Sequence, residues 1–478
     1  MKVRLATALA ALVASTVAPA APRRPVDLLI RHATVVDVAA GRTAPARAIA
    51  ISGNDIVAVG ADASIARRFA ARRIVDARGK FVMPGLWDMH VHFGGGPELV
   101  EENKALLPLY VAYGVTTVRD AAADLAPSVL EWRAQIGAGK LRGPTIFTSG
   151  PKLEGYKPLW KGTIEVGTPA EVDAALDRLQ AMKVDFVKIT DNTLKPEIFL
   201  YALGAAKKRG LKTSAHTPFA LTIEQAAKAG LSSVEHIDYL IKAGSPDEAK
   251  IGAAYTAGTL SYGEASDRFV DSFDRRYAQR VYRRLAATGL SVTPTLNMGR
   301  ILAYLDREDH SRDPALPLIG PGLRSTYEWR VERAAKASPA QVAARHREYE
   351  LSARVLPMLR DAGIPILAGT DAGYLNSFNY PGQGLHDELQ RYVEAGLTPR
   401  EALASATLTG PAFLGQSRRY GAVATGKAAD ILILDANPLK DIAATRAIRG
   451  VVLKGQWLDR AALDAMLAKA RAGASQQR

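Results

Sequence analysis

Between residues 27 and 83 the apolar positions come in short runs parted by glycine and polar turns: Asp27–Ile30, Ala33–Val38, Ala48–Ser52 and Asp55–Val59, with Arg73–Val82 extending the series. Runs of that length predict strands joined by hairpins, so this segment reads as the first part of a small β-sandwich with no helix to cover it. At Pro84 the texture changes. Strand-like runs now alternate with stretches whose apolar residues recur at helical spacing, the pattern of a parallel sheet built from βα units. Eight strands are predicted: Leu86–His92, Val115–Arg119, Thr145–Ser149, Val184–Thr190, Lys212–His216, Ser233–Ile237, Ser291–Thr295 and Pro365–Asp371. Helices are predicted over Leu99–Tyr113, Pro169–Met182, Leu385–Gly396 and Thr398–Leu408, the last with Thr398 as N-cap, Pro399 at the first helical position and Glu401 completing a capping box. Eight such units imply an α/β fold, a TIM-type (β/α)8 barrel over residues 84–416, with its chemistry at the C-terminal ends of the strands.

Beyond the barrel, β texture returns at Gly421–Leu434 and Ile448–Leu453. Residues 417–462 are therefore expected to complete the sandwich, which makes that domain discontinuous. Residues 463–478 read as a C-terminal helix and tail, frayed from Arg471 onward because the tail is small and polar. Two connections, Leu240–Thr288 and Asn297–Leu359, far exceed an ordinary βα loop and are expected to be helical. Each is open to two readings, a lid over the barrel mouth or a peripheral decoration.

Composition changes this picture little. With 478 residues, 48% hydrophobic and 23% charged, the chain can bury a large core. The start is informative: Met1–Arg4 is charged, Leu5–Val17 is apolar, and Ala18-Pro-Ala20 ends in small residues, the three parts of a secretory signal cleaved after Ala20. The apolar run is too short to span a bilayer, so a periplasmic or secreted protein without a stable membrane anchor is expected. There is no cysteine, which excludes disulfides and thiolate chemistry. The net charge of +14 is spread among acidic residues with no dense basic arm, so a solvated surface is favoured over a nucleic-acid partner. A homo-oligomer is left open.

The chemistry-bearing residues fall at strand ends. His90 and His92, two apart on one strand, project to the same side. Four of the eight histidines, His90, His92, His216 and His236, lie at the ends of predicted strands, with Lys188 and Asp371 on others. Each has a plain alternative: His216 and His236 as hydrogen-bonded core residues, Asp371 as a helix N-cap. Jointly, four imidazoles and a carboxylate at corresponding positions point to a metal site. Lys188, in Val184-Asp-Phe-Val-Lys-Ile-Thr190, would be costly to bury unpaired. Either it pairs with a carboxylate such as Asp185 or Asp191, or burial lowers its pKa and the neutral amine takes up carbon dioxide as a metal-bridging carbamate.

The stretches Val82-Met-Pro-Gly-Leu-Trp-Asp-Met-His-Val-His92, Gly114-Val-Thr-Thr-Val-Arg-Asp120, Asp185-Phe-Val-Lys-Ile189, Ala215-His216, Val234-Glu-His236, Ala368-Gly-Thr-Asp371 and Gly426-Lys-Ala-Ala-Asp-Ile431 resemble the amidohydrolase superfamily, in its metal-dependent dipeptidase and imidazolonepropionase-related branch. That resemblance implies two divalent metals, usually zinc, with His90, His92 and Asp371 on one, His216 and His236 on the other, and carbamylated Lys188 bridging. It implies amide hydrolysis with Asp371 as general base and then acid, on a dipeptide or an N-acyl amino acid. Asp120, His386 and Glu388 lie in similar stretches and are candidates for supporting or substrate-facing roles. Arg300, Lys152 and Lys157 follow predicted strands and are candidates to receive a substrate carboxylate. The competing readings are a mononuclear deaminase or cyclic amidase, a lactonase or organophosphate hydrolase on the same barrel, and a non-catalytic binding module.

Overall fold

The computed structural model describes residues 22–122 and 124–476, so the expected export signal, residues 1–20, lies outside the described residues. Among them no helix is long and apolar enough to cross a membrane. The strands in chain order are β1 (Arg24–Asp37), β2 (Arg42–Ser52), β3 (Asp55–Ala61), β4 (Phe69–Asp76), β5 (Phe81–Pro84), β6 (Leu86–His92), β7 (Val115–Asp120), β8 (Thr145–Thr148), β9 (Leu153–Glu154), β10 (Ile164–Glu165), β11 (Val187–Ile189), β12 (Thr213–Ala215), β13 (Ser233–Glu235), β14 (Ser291–Thr293), β15 (Ala372–Gly373), β16 (Ile431–Leu434), β17 (Ile448–Leu453) and β18 (Gln456–Asp459).

Both chain ends contribute to one mixed sheet of eight strands, in the order β18-β17-β16-β5-β1-β2-β3 with β4 also paired to β1. This differs from the expected hairpin-built sandwich. The structure records a single sheet, and β1 runs parallel to both β4 and β5 rather than forming hairpins throughout. Alternation along β2 buries both faces: Ile49 and Ile51 pack with Ile431 and Ile433, while Ala48 and Ala50 pack with Ile65 and Phe69. The second face is covered by a helix that the sequence pattern does not reveal, Asp62–Arg68, in which only Ile65 is buried. With two alanines and one isoleucine as its apolar residues, and only the isoleucine buried, the helix leaves no clear periodicity to detect.

The remaining strands form parallel sheets of six (β10-β9-β11-β12-β13-β14) and four (β15-β6-β7-β8), a TIM-barrel-type arrangement. Between β14 and β6 runs the segment expected as the eighth strand. It bonds to both neighbours, Leu367 N–H to Val292 C=O at 2.8 Å and Asp371 N–H to His90 C=O at 2.7 Å. It is not a continuous strand, because Asp371 takes φ of +64° and extended pairing resumes only at Ala372–Gly373. On the opposite side Asp185 N–H reaches Thr148 C=O at 2.9 Å.

Helix Pro169–Ala181 and helix Pro399–Thr407 form as expected, the latter with Thr398 and Glu401 in a reciprocal capping box. Leu99–Tyr113 is instead split into a 3-10 turn and two short helices, Val100–Ala105 and Leu107–Ala112, with Pro108 opening the second. Proline supplies no N–H to continue the first helix but fits the opening turn of the next. The tail also departs from expectation, since helix Arg460–Gln476 runs on past Arg471. Leu463, Met466 and Ala474 are buried along it, so docking rather than propensity holds it. Both long connections are largely helical, and the second sends Thr326, Tyr327 and Arg330 onto residues 375–377 beside Asp371.

Candidate active site

Residues Asp88, His90 and His92 share one face of β6, as strand alternation demands. Asp88 accepts the backbone N–H of Thr370 at 3.0 Å and its hydroxyl at 2.7 Å, which pins the Asp371 segment to β6. Close approach here requires glycine. A Cβ on Gly369 would stand 2.8 Å from the His90 nitrogen, and one on Gly373 would stand 2.2 Å from the His92 carbonyl oxygen.

Asp371 Oδ1 then lies 2.8 Å from His92 Nε2 and 3.3 Å from His90 Nε2, and the two Nε2 atoms are 3.1 Å apart. The His216 and His236 Nε2 atoms face each other at 3.1 Å, with the His236 ring 5.2 Å from that of His90. Ligand atoms of His90, His236 and Asp371 all lie within 4.8 Å of one another. Facing ring nitrogens can share only one proton per pair, so lone pairs converge on the middle of the group. An all-nitrogen-and-oxygen donor set of this kind fits a borderline divalent cation such as zinc.

Protonation supports the same use. Burial holds the ring pKa of His92 below its ordinary value, that of His216 far below, and that of His236 down to about 3, aided for the last two by the Lys188 charge. Neutral imidazole is the form that binds metal. His90 alone is raised, because the Glu235 and Asp371 charges outweigh its burial. Burial opposes ionisation of Asp371 too, yet its bonds to His90 and His92 hold it well below the usual carboxylate range.

Lys188 is 1% exposed and its Nζ has no hydrogen-bond partner. It is not paired with Asp185, which bonds Arg133, nor with Asp191. Burial presses its pKa down to about 8 against the pull of Glu235, and its charge is felt at His92, His216 and His236. An orphaned amine beside three imidazoles is costly in itself.

Glu235 is the residue that sequence reasoning missed. Fully buried, it takes two 2.9 Å bonds from Arg119 Nη2, one of 2.6 Å from Ser214 Oγ and one of 2.5 Å from His90 Nδ1. Its burial opposes the charge, but Arg119 and His90 outweigh that and keep it ionised. An ionised carboxylate only accepts, so Nδ1 of His90 carries the proton and Nε2 is left free to ligate. Alternation from Ser233 through Glu235 on a strand ending in a histidine is the signal that could have found it.

Over residues 81–458 the chain matches the Amidohydrolase family. It belongs to that family. Ochratoxinase of Aspergillus niger is 24% identical over 452 residues, covering 83% of this chain and 78% of its own. Imidazolonepropionase of Geobacillus kaustophilus is 24% identical over 434 residues, covering 80% and 82%. A solved structure described as a putative prolidase from Bifidobacterium longum superimposes with a TM-score of 0.67 at 24% identity, covering 93% of this chain and 98% of that one. The superfamily resemblance read from the motifs is thus borne out, and this amidohydrolase is an enzyme acting on carbon–nitrogen bonds.

Three of the four expected substrate contacts of the amidohydrolase, Arg300, Lys152 and His386, are engaged by other groups of the chain. Arg300 is engaged by Glu308 through two bonds of 2.9 and 2.5 Å. Lys152 is buried 3.4 Å from Asp124, and Lys157 is exposed on the loop after β9. His386 is buried between Thr445 Oγ1 at 2.9 Å and the Tyr113 carbonyl at 2.8 Å, where it ties a helix to the chain ahead of β7. Glu388 accepts the Leu296 and Asn297 N–H groups at 2.8 and 2.6 Å, opening helix Leu296–Ala303. Asp120, also buried, accepts the Thr148 hydroxyl at 2.9 Å and so supports strand ends rather than substrate.

Proposed function

We propose that this enzyme hydrolyses an amide bond in a dipeptide or N-acyl amino acid at a binuclear metal site. The observation that carries it is the partnerless, buried amine of Lys188 among His92, His216, His236 and Asp371. His90, His92 and Asp371 would hold one divalent ion, zinc in the usual case, His216 and His236 the other, and carbamylated Lys188 would bridge them inside a closed (β/α)8 barrel. The hydrogen bonds on both sides of the two parallel sheets support that closure. When bound, the ions supply Lewis acidity toward a carbonyl and bring the pKa of water toward neutrality.

The chain's own residues do the rest. Asp371, ionised and fixed at the strand end, takes a proton from the attacking water and returns it to the departing amine, so amide and water become carboxylic acid and amine. Glu235 holds His90 in the tautomer whose Nε2 faces inward. Elemental analysis together with turnover on a library of dipeptides and N-acyl amino acids tests the proposal. Lys188→Ala is expected to lose about one metal equivalent per chain and at least ~100-fold in kcat. Full metal content with full turnover in that variant would exclude the bridging role.

A second reading is favoured by one observation, that the ligand atoms of His90, His236 and Asp371 lie within 4.8 Å of one another, close enough to hold a single ion. A mononuclear cyclic amidase or deaminase would use such a group. One metal per chain would support it, with ammonia release marking the deaminase.

A further inference from the structure

A dipeptide or N-acyl amino acid carries a carboxylate beside the bond that is cut, and selecting for it takes a fixed cation. Arg300 and Lys152 have their own carboxylates and Lys157 stands in solvent, so none of the three supplies it. Arg330, on helix Glu328–Ala335 of the second long connection, is placed differently. Its Nε donates to the Leu375 carbonyl at 2.8 Å and its Nη2 to Asn376 Oδ1 at 2.9 Å. Asn376 donates onward through Nδ2 to the carbonyl of Asp371, so the guanidinium sits two links from the residue at the centre of the site. The Trp329 ring lies 5.0 Å from it and restricts the plane of the fork.

Both acceptors are neutral, and among the described residues no carboxylate forms an ion pair with Arg330. Burial works against its charge and the Asp371 charge offsets this only in part, since the Asp371 carboxylate is already taken by His90 and His92. Arginine does not escape the cost by losing its proton. A guanidinium braced on two neutral oxygens through Nε and Nη2, with no bond from Nη1 among the described residues, is therefore preorganised for an incoming anion.

We infer that Arg330 receives the substrate's carboxylate, so that the enzyme selects amides bearing a free carboxylate next to the scissile bond. This rests on the amide-hydrolase reading above, and the test separates the two. Kinetics of the wild type, Arg330→Gln and Arg330→Lys are compared on dipeptides and N-acetylated amino acids and on the same compounds as C-terminal carboxamides. The wild type is expected to favour the carboxylate series by about 10- to 100-fold in kcat/KM. Arg330→Gln should lose most of that preference through a raised KM on the carboxylate series alone. Because Arg330 also braces Leu375 and Asn376, a merely structural role would depress both series equally, and an unchanged ratio overturns the inference.

Calorimetric binding of N-acetyl-L-leucine and N-acetyl-L-leucinamide to the metal-loaded protein reads the same contrast without turnover. If no amide is hydrolysed, the hydrolase reading falls, while a carboxylate preference that disappears in Arg330→Gln still upholds Arg330. Equal binding of the two ligands by the wild type overturns it. Should Arg330→Gln fail to fold, Arg330→Lys serves, and a preference undiminished by loss of the planar fork counts against the inference.

Discussion

Arg119 and Glu235 meet at the centre of the site across 116 residues of chain, and neither has any exposure to water. Arg119 also donates to the Met89 carbonyl at 2.5 Å and to Thr293 Oγ1 at 3.1 Å, so one guanidinium ties the strands bearing His90 and His236 together. Removing one member of a buried pair strands the other charge, which costs about 3–5 kcal/mol. Arg119→Met should therefore lower stability by about that much in urea melts, and lower metal affinity as well, because Glu235 would no longer be held ionised beneath His90. Stability and metal content matching the wild type would show that the pair is dispensable. Arg119 and Glu235 stood in motifs recognisable from the sequence, but their partnership did not, since nothing local couples positions so far apart.

The helix Asp62–Arg68 illustrates how an element can be held by a contact rather than by its own propensity. Asp62 opens it and takes bonds of 3.0 and 2.5 Å from the Arg31 guanidinium and one of 2.9 Å from the His32 N–H, both on β1. The Arg31 bond, opposed by partial burial, brings the carboxyl pKa from 3.8 down to about 2. A depressed acid stabilises the fold above its unfolded pKa, and that share is lost as pH falls through the folded value. Asp62→Asn should accordingly melt below the wild type at pH 6, and the gap should close between pH 4 and 2; a gap independent of pH would show that the ion pair is not what fixes the helix. Segment Pro365–Asp371 shows the opposite limit of sequence reading. Its position between β14 and β6 follows the predicted order, whereas its departure from regular strand at Asp371 comes from packing against β6 and the second long connection.

Across the whole molecule the two chain ends close on each other. Strand β16 pairs antiparallel with β5, Phe81 opposite Leu434, and β5 leads directly into β6 and the first two histidines. Leu432 and Ile448 also pack over Gly114 ahead of β7, leaving no room there for a Cβ. A chain ending at Gln416 should therefore yield insoluble protein or lose the cooperative thermal transition of the full chain, judged by solubility and circular dichroism; a soluble, cooperatively melting barrel would show that the shared sheet is independent of it. What the sequence determined by itself was the alternating order of strands and helices, the capping box at Thr398, and the set of ligand-type side chains at strand ends, because periodicity and local hydrogen bonding are written within a few residues. Tertiary structure alone decided that Glu235 holds His90, that Arg300 and Lys152 are neutralised by nearby carboxylates while Arg330 is not, and that the tail docks as a helix. Each of those depends on which distant groups exclude water from one another, and burial is a property of the folded whole.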